Sequence, residues 1–152
     1  MSIRSNPTPA EWGVLLLRVS LGVMFLAHGV LLKIVTFGPA GTAQYFASIG
    51  LPGALAYLTI ASEAVGGSML VLGIQTRWVA PALSPILISA LIFVHIGNGW
   101  VFSAPNGGWE YPAYLLVLCV VQALIGDGPF ALSPSRSLAA HVAGAARPAA
   151  TR

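Results

Sequence analysis

Residues 54–74, ALAYLTIASEAVGGSMLVLGI, decide the fold. The run matches the roughly 20 apolar residues a helix needs to cross a hydrocarbon core, and it carries one ionisable side chain, Glu63, near its centre. Apolar and polar residues do not alternate along it, as they would in a strand of a membrane barrel. A buried helix of the same composition in a soluble protein would need polar surface elsewhere to cover it. The rest of the chain does not supply that surface: 57% of the 152 residues are hydrophobic and 7% are charged, with a mean hydropathy of +0.84. A typical soluble domain is about one quarter charged. Folded in water, these runs would expose more apolar surface than soluble monomers tolerate.

Outward from this run, the chain repeats its pattern. Apolar stretches lie at about 12–35, 54–74, 78–97 and 110–127, giving an all-α, integral membrane four-helix bundle over 12–133. The first is interrupted by Arg18, His28 and Lys33. It is too long, and lacks a small-residue cleavage site, to be a removable signal peptide. The third contains Pro81 and Pro85, each of which removes a helix donor and favours a kink. The fourth is short and needs Glu110 or Trp109, or a locally thinned bilayer, to complete a crossing. Residues 1–11 read as a cytoplasmic N-terminal segment, and 134–152, rich in Ala, Pro and Arg, as a flexible cytoplasmic tail.

The positive-inside rule orients the bundle. Arg4, Arg77, Arg136, Arg147 and Arg152 all fall outside the spans on one side, so both termini and the turn at 75–77 are expected in the cytoplasm. Lys33, at the outer end of the first span, dissents. Trp12 and Trp78 then mark the inner interface, and Trp100 and Trp109 the outer one. The first outer loop holds TAQYFASI at 42–49, whose Tyr45, Phe46 and Ile49 would share one face of a short interfacial helix; a packed loop is the alternative. The second, GNGWVFSAPNGGWEYP at 97–112, reads as irregular structure with tight turns. The seven basic residues are scattered and form no dense basic patch, so the lipid bilayer, not nucleic acid, is the expected partner.

Ionisable groups at membrane depth are costly, so each is a functional candidate in need of a partner. Arg18, His28, Glu63, His95 and Glu110 form the candidate polar pocket. Helical spacing sets Arg18, Gly22, Phe25 and Gly29 on one stripe, and Thr59, Glu63, Gly66, Gly67 and Leu70 on another. Gly22, Gly29, Gly66 and Gly67 would let the two backbones approach closely. An Arg18–Glu63 ion pair is therefore expected, serving either to fix helix register or to handle protons or substrate. His28, His95 and Glu110 could face a shared outward cavity, where a histidine beside a carboxylate can pass protons. No metal site is expected, because HExxH and ExxH spacings are absent and the two histidines sit at unmatched depths. Axial ligation of haem by His28 and His95 is possible in principle. Cys119 is a lone cysteine, so a dithiol relay within the chain is excluded, and no nucleotide-binding or serine-hydrolase motif is present.

Together LLLRVSLGVMFLAHGVLLK at 15–33, GLP at 50–52, SEAVGGSMLVLGIQTRWVA at 62–80, GGWEYPAYLLVLCVV at 107–121 and GDGPFALS at 126–133 resemble the DoxX family over about residues 12–133. The resemblance implies a four-helix protein of the bacterial or archaeal inner membrane. Its members are associated with respiratory or redox systems, including a quinone-reducing thiosulfate oxidoreductase. The family pattern would carry Arg18, His28, Gly29, Glu63, Gly66, Gly67, Arg77 and Glu110 onto this chain, and His95 is compatible with it. Two functions follow as expectations. One is a redox-system subunit that binds quinone in the polar pocket, with electrons carried by a partner protein or by the quinone itself. The other is a non-enzymatic scaffold or small-molecule carrier, alone or as a homo-oligomer.

Overall fold

A computed structural model describes residues 6–136. Among them the chain is helical throughout, with five helices and no strand beyond one isolated bridge. Helix α1 spans Pro9–Thr36, α2 Pro39–Ser48, α3 Ala54–Leu72, α4 Thr76–Asn98 and α5 Glu110–Ile125. Three of these, α1, α3 and α4, are long and apolar enough to cross a membrane, at 28, 19 and 23 residues. Helix α5 is apolar but has 16 residues, fewer than an untilted span requires.

Local chemistry sets the boundaries. Helix α1 starts at Pro9, earlier than hydropathy places it, because Thr8 and Glu11 form a reciprocal capping box and Pro9 suits the first turn. Helix α3 stops at Leu72, short of Ile74, because Gly73 adopts a left-handed conformation with φ of 72°. The Ile74 amide then reaches back to the Met69 carbonyl, and few residues but glycine take that conformation without strain. The interfacial segment after the first span is a helix, α2, longer than 42–49 suggests because Pro39 opens it. Thr42 is buried beneath it and donates to the carbonyls of Gly38 and Lys33. Helix α4 runs through Pro81 and Pro85 without ending.

Helix α1 packs along α3, and α4 along α5, with α1 also touching α5 and α3 touching α4. Leu21, Phe25, Leu70, Leu83, Leu87, Leu115 and Cys119 form the apolar centre. The close approach of α1 and α3 rests on glycine. A methyl on Gly22 would stand 2.7 Å from the Gly67 carbonyl oxygen, and one on Gly29 would stand 2.7 Å from Glu63 Cβ. Large apolar side chains such as Leu16, Val23, Leu58 and Val117 face outward, as expected where lipid is the solvent.

One end of the bundle gathers the start of α1, the turn between α3 and α4, and the segment after α5. There Trp12 packs on Phe130, with ring centroids 5.7 Å apart. The Leu132 and Ser133 amides bond the carbonyls of Leu72 and Gly73. The first residues of the expected tail, Pro134 and Ser135, are held there too, by Gln75 and Asp127. Residues 1–5 and 137–152, which include Arg4, Arg147 and Arg152, lie outside the described residues. The opposite end carries α2 and the α4–α5 loop, where Trp100 and Trp109 meet edge to face at 4.4 Å.

Candidate functional site

Glu63 is 3% exposed and does not pair with Arg18. Its partner is Lys33, whose Nζ donates to Oε2 at 2.7 Å and to Oε1 at 2.9 Å. The contacts of Gly29 with Glu63, and of Gly22 with Gly67 and Val71, define an antiparallel register. That register sets Arg18 against Gly73, ten residues and about 15 Å along α3 from Glu63. Side-chain direction reinforces it. Side chains on a helix lean toward its N-terminus, so Arg18 leans toward the start of α1, away from Glu63, while Lys33 leans inward, toward it.

The backbone brings a third group to this pair. From Ala27 to Thr36, α1 is wound as a π-helix. In an α-helix His28 and Lys33, five residues apart, would point about 140° apart. The wider i→i+5 turn brings them toward one side. Lys33 bonds Glu63, and His28 adjoins Gly29, the residue that packs against Glu63 Cβ. His28 Nδ1 sits 2.9 Å from the Met24 carbonyl oxygen. With the proton on Nδ1 that bond is made, and Nε2 is left as a proton acceptor. Gly29 is buried between the helices and leaves room for the Glu63 side chain.

Arg18 belongs to a second polar cluster, at the other end of the bundle. Fully buried, it donates from Nη1 to the Asp127 carbonyl oxygen at 2.6 Å. The Asp127 carboxylate accepts from the Thr76 amide at 2.7 Å and hydroxyl at 2.8 Å, and from the Ser135 amide at 2.8 Å. Burial pushes the Asp127 carboxyl up, but these hydrogen bonds outweigh it and hold it below the usual aspartate value. Gln122 donates to the Gly126 carbonyl, and Arg77 to those of Ala123 and Leu124, so the carbonyls at the end of α5 are satisfied by side chains. This cluster ties α1, α4 and α5 together and is structural in character.

His95 and Glu110 do not join His28. His95 Nδ1 lies 3.0 Å from the Gly107 carbonyl oxygen, and Glu110 Oε1 accepts the Phe102 amide at 2.7 Å. Both fasten the loop between α4 and α5, with Asn98 bonding the carbonyls of Asn106 and Gly107 beside them. The expected shared cavity of His28, His95 and Glu110 is therefore replaced by two separate arrangements. Among the described residues, no group of three or more His, Cys, Asp or Glu side chains could hold a metal.

Two residues of these clusters carry signals in the sequence that hydropathy alone does not single out. Lys33 continues the stripe of Arg18, Gly22, Phe25 and Gly29 at helical spacing, a signal that was available but was masked by treating the lysine as a topological charge. Asp127, the single aspartate of the chain, lies within the GDGPFALS motif immediately after the last apolar run.

The family model described as DoxX matches residues 13–96, more than half of the chain, and so covers α3 and most of α1 and α4. The chain belongs to the DoxX family. A relative from Bacillus subtilis (strain 168), named "Putative oxidoreductase CatD", is 39% identical over 124 residues, which cover 82% of this chain and 87% of the relative. No solved structure matches. The His28, Lys33 and Glu63 site lies wholly inside the matched segment, whereas Glu110 and Asp127 lie beyond it. With its three long apolar helices, this DoxX-family chain is a multi-pass membrane protein.

Proposed function

We propose that this DoxX-family chain is a membrane subunit of a redox system and that it binds a quinone headgroup at the His28, Lys33 and Glu63 site. The observation that carries this reading is a buried ion pair, with His28 next to the Gly29 that packs on Glu63, where α1 leaves α-helical geometry. The relative's printed name supports the redox association. The donor set suits the ligand: quinone carbonyl oxygens are acceptors, and Lys33 and a protonated His28 are donors. A bound quinone supplies two-electron, two-proton chemistry at its ring oxygens.

The chain's own part is proton handling and positioning. Lys33 presents a fixed positive charge, and Glu63 holds that ammonium in place. The Met24 carbonyl orients the His28 ring, so that Nε2 can take up and release a proton. The described residues contain no dithiol, and electrons are assigned to a redox partner protein. In the same reading the chain lies in the bacterial or archaeal inner membrane with both termini in the cytoplasm. Arg77 and Arg136 fall at the end of the bundle that carries both ends of the described chain. Helix α5 makes the fourth crossing, completed by the loop residues before it.

A second reading, a non-enzymatic scaffold or carrier subunit, is favoured by one observation. Both Glu63 oxygens are taken up by Lys33, as in an ion pair that serves register alone. Lipid extracts of the purified protein separate the two. Quinone retained by the wild type and lost in Glu63→Gln and His28→Ala supports the first reading. Equal retention in all three, or solute flux in proteoliposomes without quinone retention, refutes it.

A further inference from the structure

We propose that the aromatic groove at the α2 end of the bundle, between the α4–α5 loop and α5, binds the ammonium headgroup of a zwitterionic phospholipid such as phosphatidylethanolamine. The site is independent of the quinone reading and lies on other elements. It is a groove of about 510 Å³ walled by Trp100, Trp109, Tyr111 and Tyr114, with Glu110 in its lining. Trp100, Tyr111 and Tyr114 are each about half exposed or more, so their ring surfaces are open to a ligand.

Charge selects the occupant. The carboxylate is the one charged group lining the groove, and no lysine or arginine occurs between Arg77 and Arg136. Glu110 Oε1 is committed to the Phe102 amide, while Oε2 takes no hydrogen bond among the described residues. A carboxylate oxygen beside several aromatic faces attracts an alkylammonium through its charge and through the ring quadrupoles. An anionic headgroup would meet repulsion there, with no basic side chain in the groove lining to offset it.

Shape distinguishes a lipid from a free amine. The lining continues down α5 from Glu110 through Ala113 to Val117, about 10 Å at the helical rise. The groove therefore passes from a charged aromatic mouth to an aliphatic floor, matching a headgroup followed by an acyl chain.

The test is native mass spectrometry of the full chain, exchanged from detergent into micelles doped equally with phosphatidylethanolamine and phosphatidylglycerol. The wild type is expected to retain phosphatidylethanolamine over phosphatidylglycerol by about tenfold, the scale of one desolvated cation–π contact. Glu110→Gln keeps an acceptor for the Phe102 amide and so preserves the loop, yet should abolish the preference. Tyr114→Leu, a surface change on α5 that leaves the loop bonds intact, should weaken it several-fold. Retention of phosphatidylglycerol instead, an unchanged preference in Glu110→Gln and Tyr114→Leu, or no preference in the wild type would each overturn the proposal.

Discussion

Replacing Lys33 by methionine should damage the bundle more than replacing Glu63 by glutamine, although both break the same ion pair. The asymmetry follows from depth. The Lys33 side chain is 18% exposed and that of Glu63 is 4% exposed. In Glu63→Gln the lysine can swing its amine toward the interface, as long cationic side chains do. In Lys33→Met the carboxylate is stranded between α1 and α3, with Gly29 packed against its Cβ and no route outward. Stranding one member of a buried pair costs about 3 kcal/mol, against roughly 1 kcal/mol where the survivor can relocate. The double variant, with no buried charge left, should lie near 1 to 2 kcal/mol, giving a coupling energy of about 2 to 3 kcal/mol. Unfolding in mixed micelles, followed by far-ultraviolet circular dichroism, measures all three. The same cycle on Arg18 and Glu63 should be additive within about 0.5 kcal/mol, since their attachment points are about 15 Å apart. Strong coupling of Arg18 with Glu63, or none between Lys33 and Glu63, would refute the register on which the site is built.

Glycine substitutions should separate backbone contacts from side-chain contacts. Gly29→Ala meets Glu63 Cβ and the Ala64 amide nitrogen, so α3 must move, at about 2 kcal/mol; Gly66→Ala meets only the Leu83 side chain, which must repack within the core while the backbone stays in place, and should cost less, about 1 kcal/mol in the same unfolding assay. The Asp127 cluster should be acid-sensitive. Because the folded state holds this carboxyl below its ordinary value, its stabilising contribution is complete above the unfolded value near 3.9 and is lost as pH falls through the lower, folded one. Hydrogen exchange at the Thr76 and Ser135 amides should therefore accelerate below about pH 4, with little such step in Asp127→Asn, whose carboxamide does not titrate. Truncating Arg18 to methionine should loosen the segment 126–135 against α1, seen as faster proteolysis there, with the Lys33–Glu63 coupling unchanged.

Much of the fold was legible because lipid imposes simple rules. Length and hydropathy located α1, α3 and α4, and the small-residue stripes placed Gly22, Gly29 and Gly67 where the two helices touch. The candidate site was less legible, for three physical reasons. Hydropathy fixes the depth of a residue only loosely, and side chains several ångströms long blur it further, so Arg18, expected beside Glu63, instead meets the Asp127 backbone carbonyl. The π-helical turn of Ala27–Thr36 is set by packing and leaves no periodic signal, so the convergence of His28 with Lys33 could not be read from 3.6-residue spacing. Backbone carbonyls are invisible as partners in a sequence, and those of Met24, Gly107 and Asp127 are what His28, His95 and Arg18 meet.

The central claim is that the functional centre of this chain is the His28, Lys33 and Glu63 group on α1 and α3. Photolabelling the membrane-embedded protein with an azido-quinone, then mapping adducts by peptide mass spectrometry, tests it most directly. The account requires adducts on residues about 24–36 and 56–67, competed away by unlabelled quinone and lost in Glu63→Gln. Labelling confined to the α4–α5 loop or to the Asp127 end, or labelling that unlabelled quinone does not compete, would contradict it.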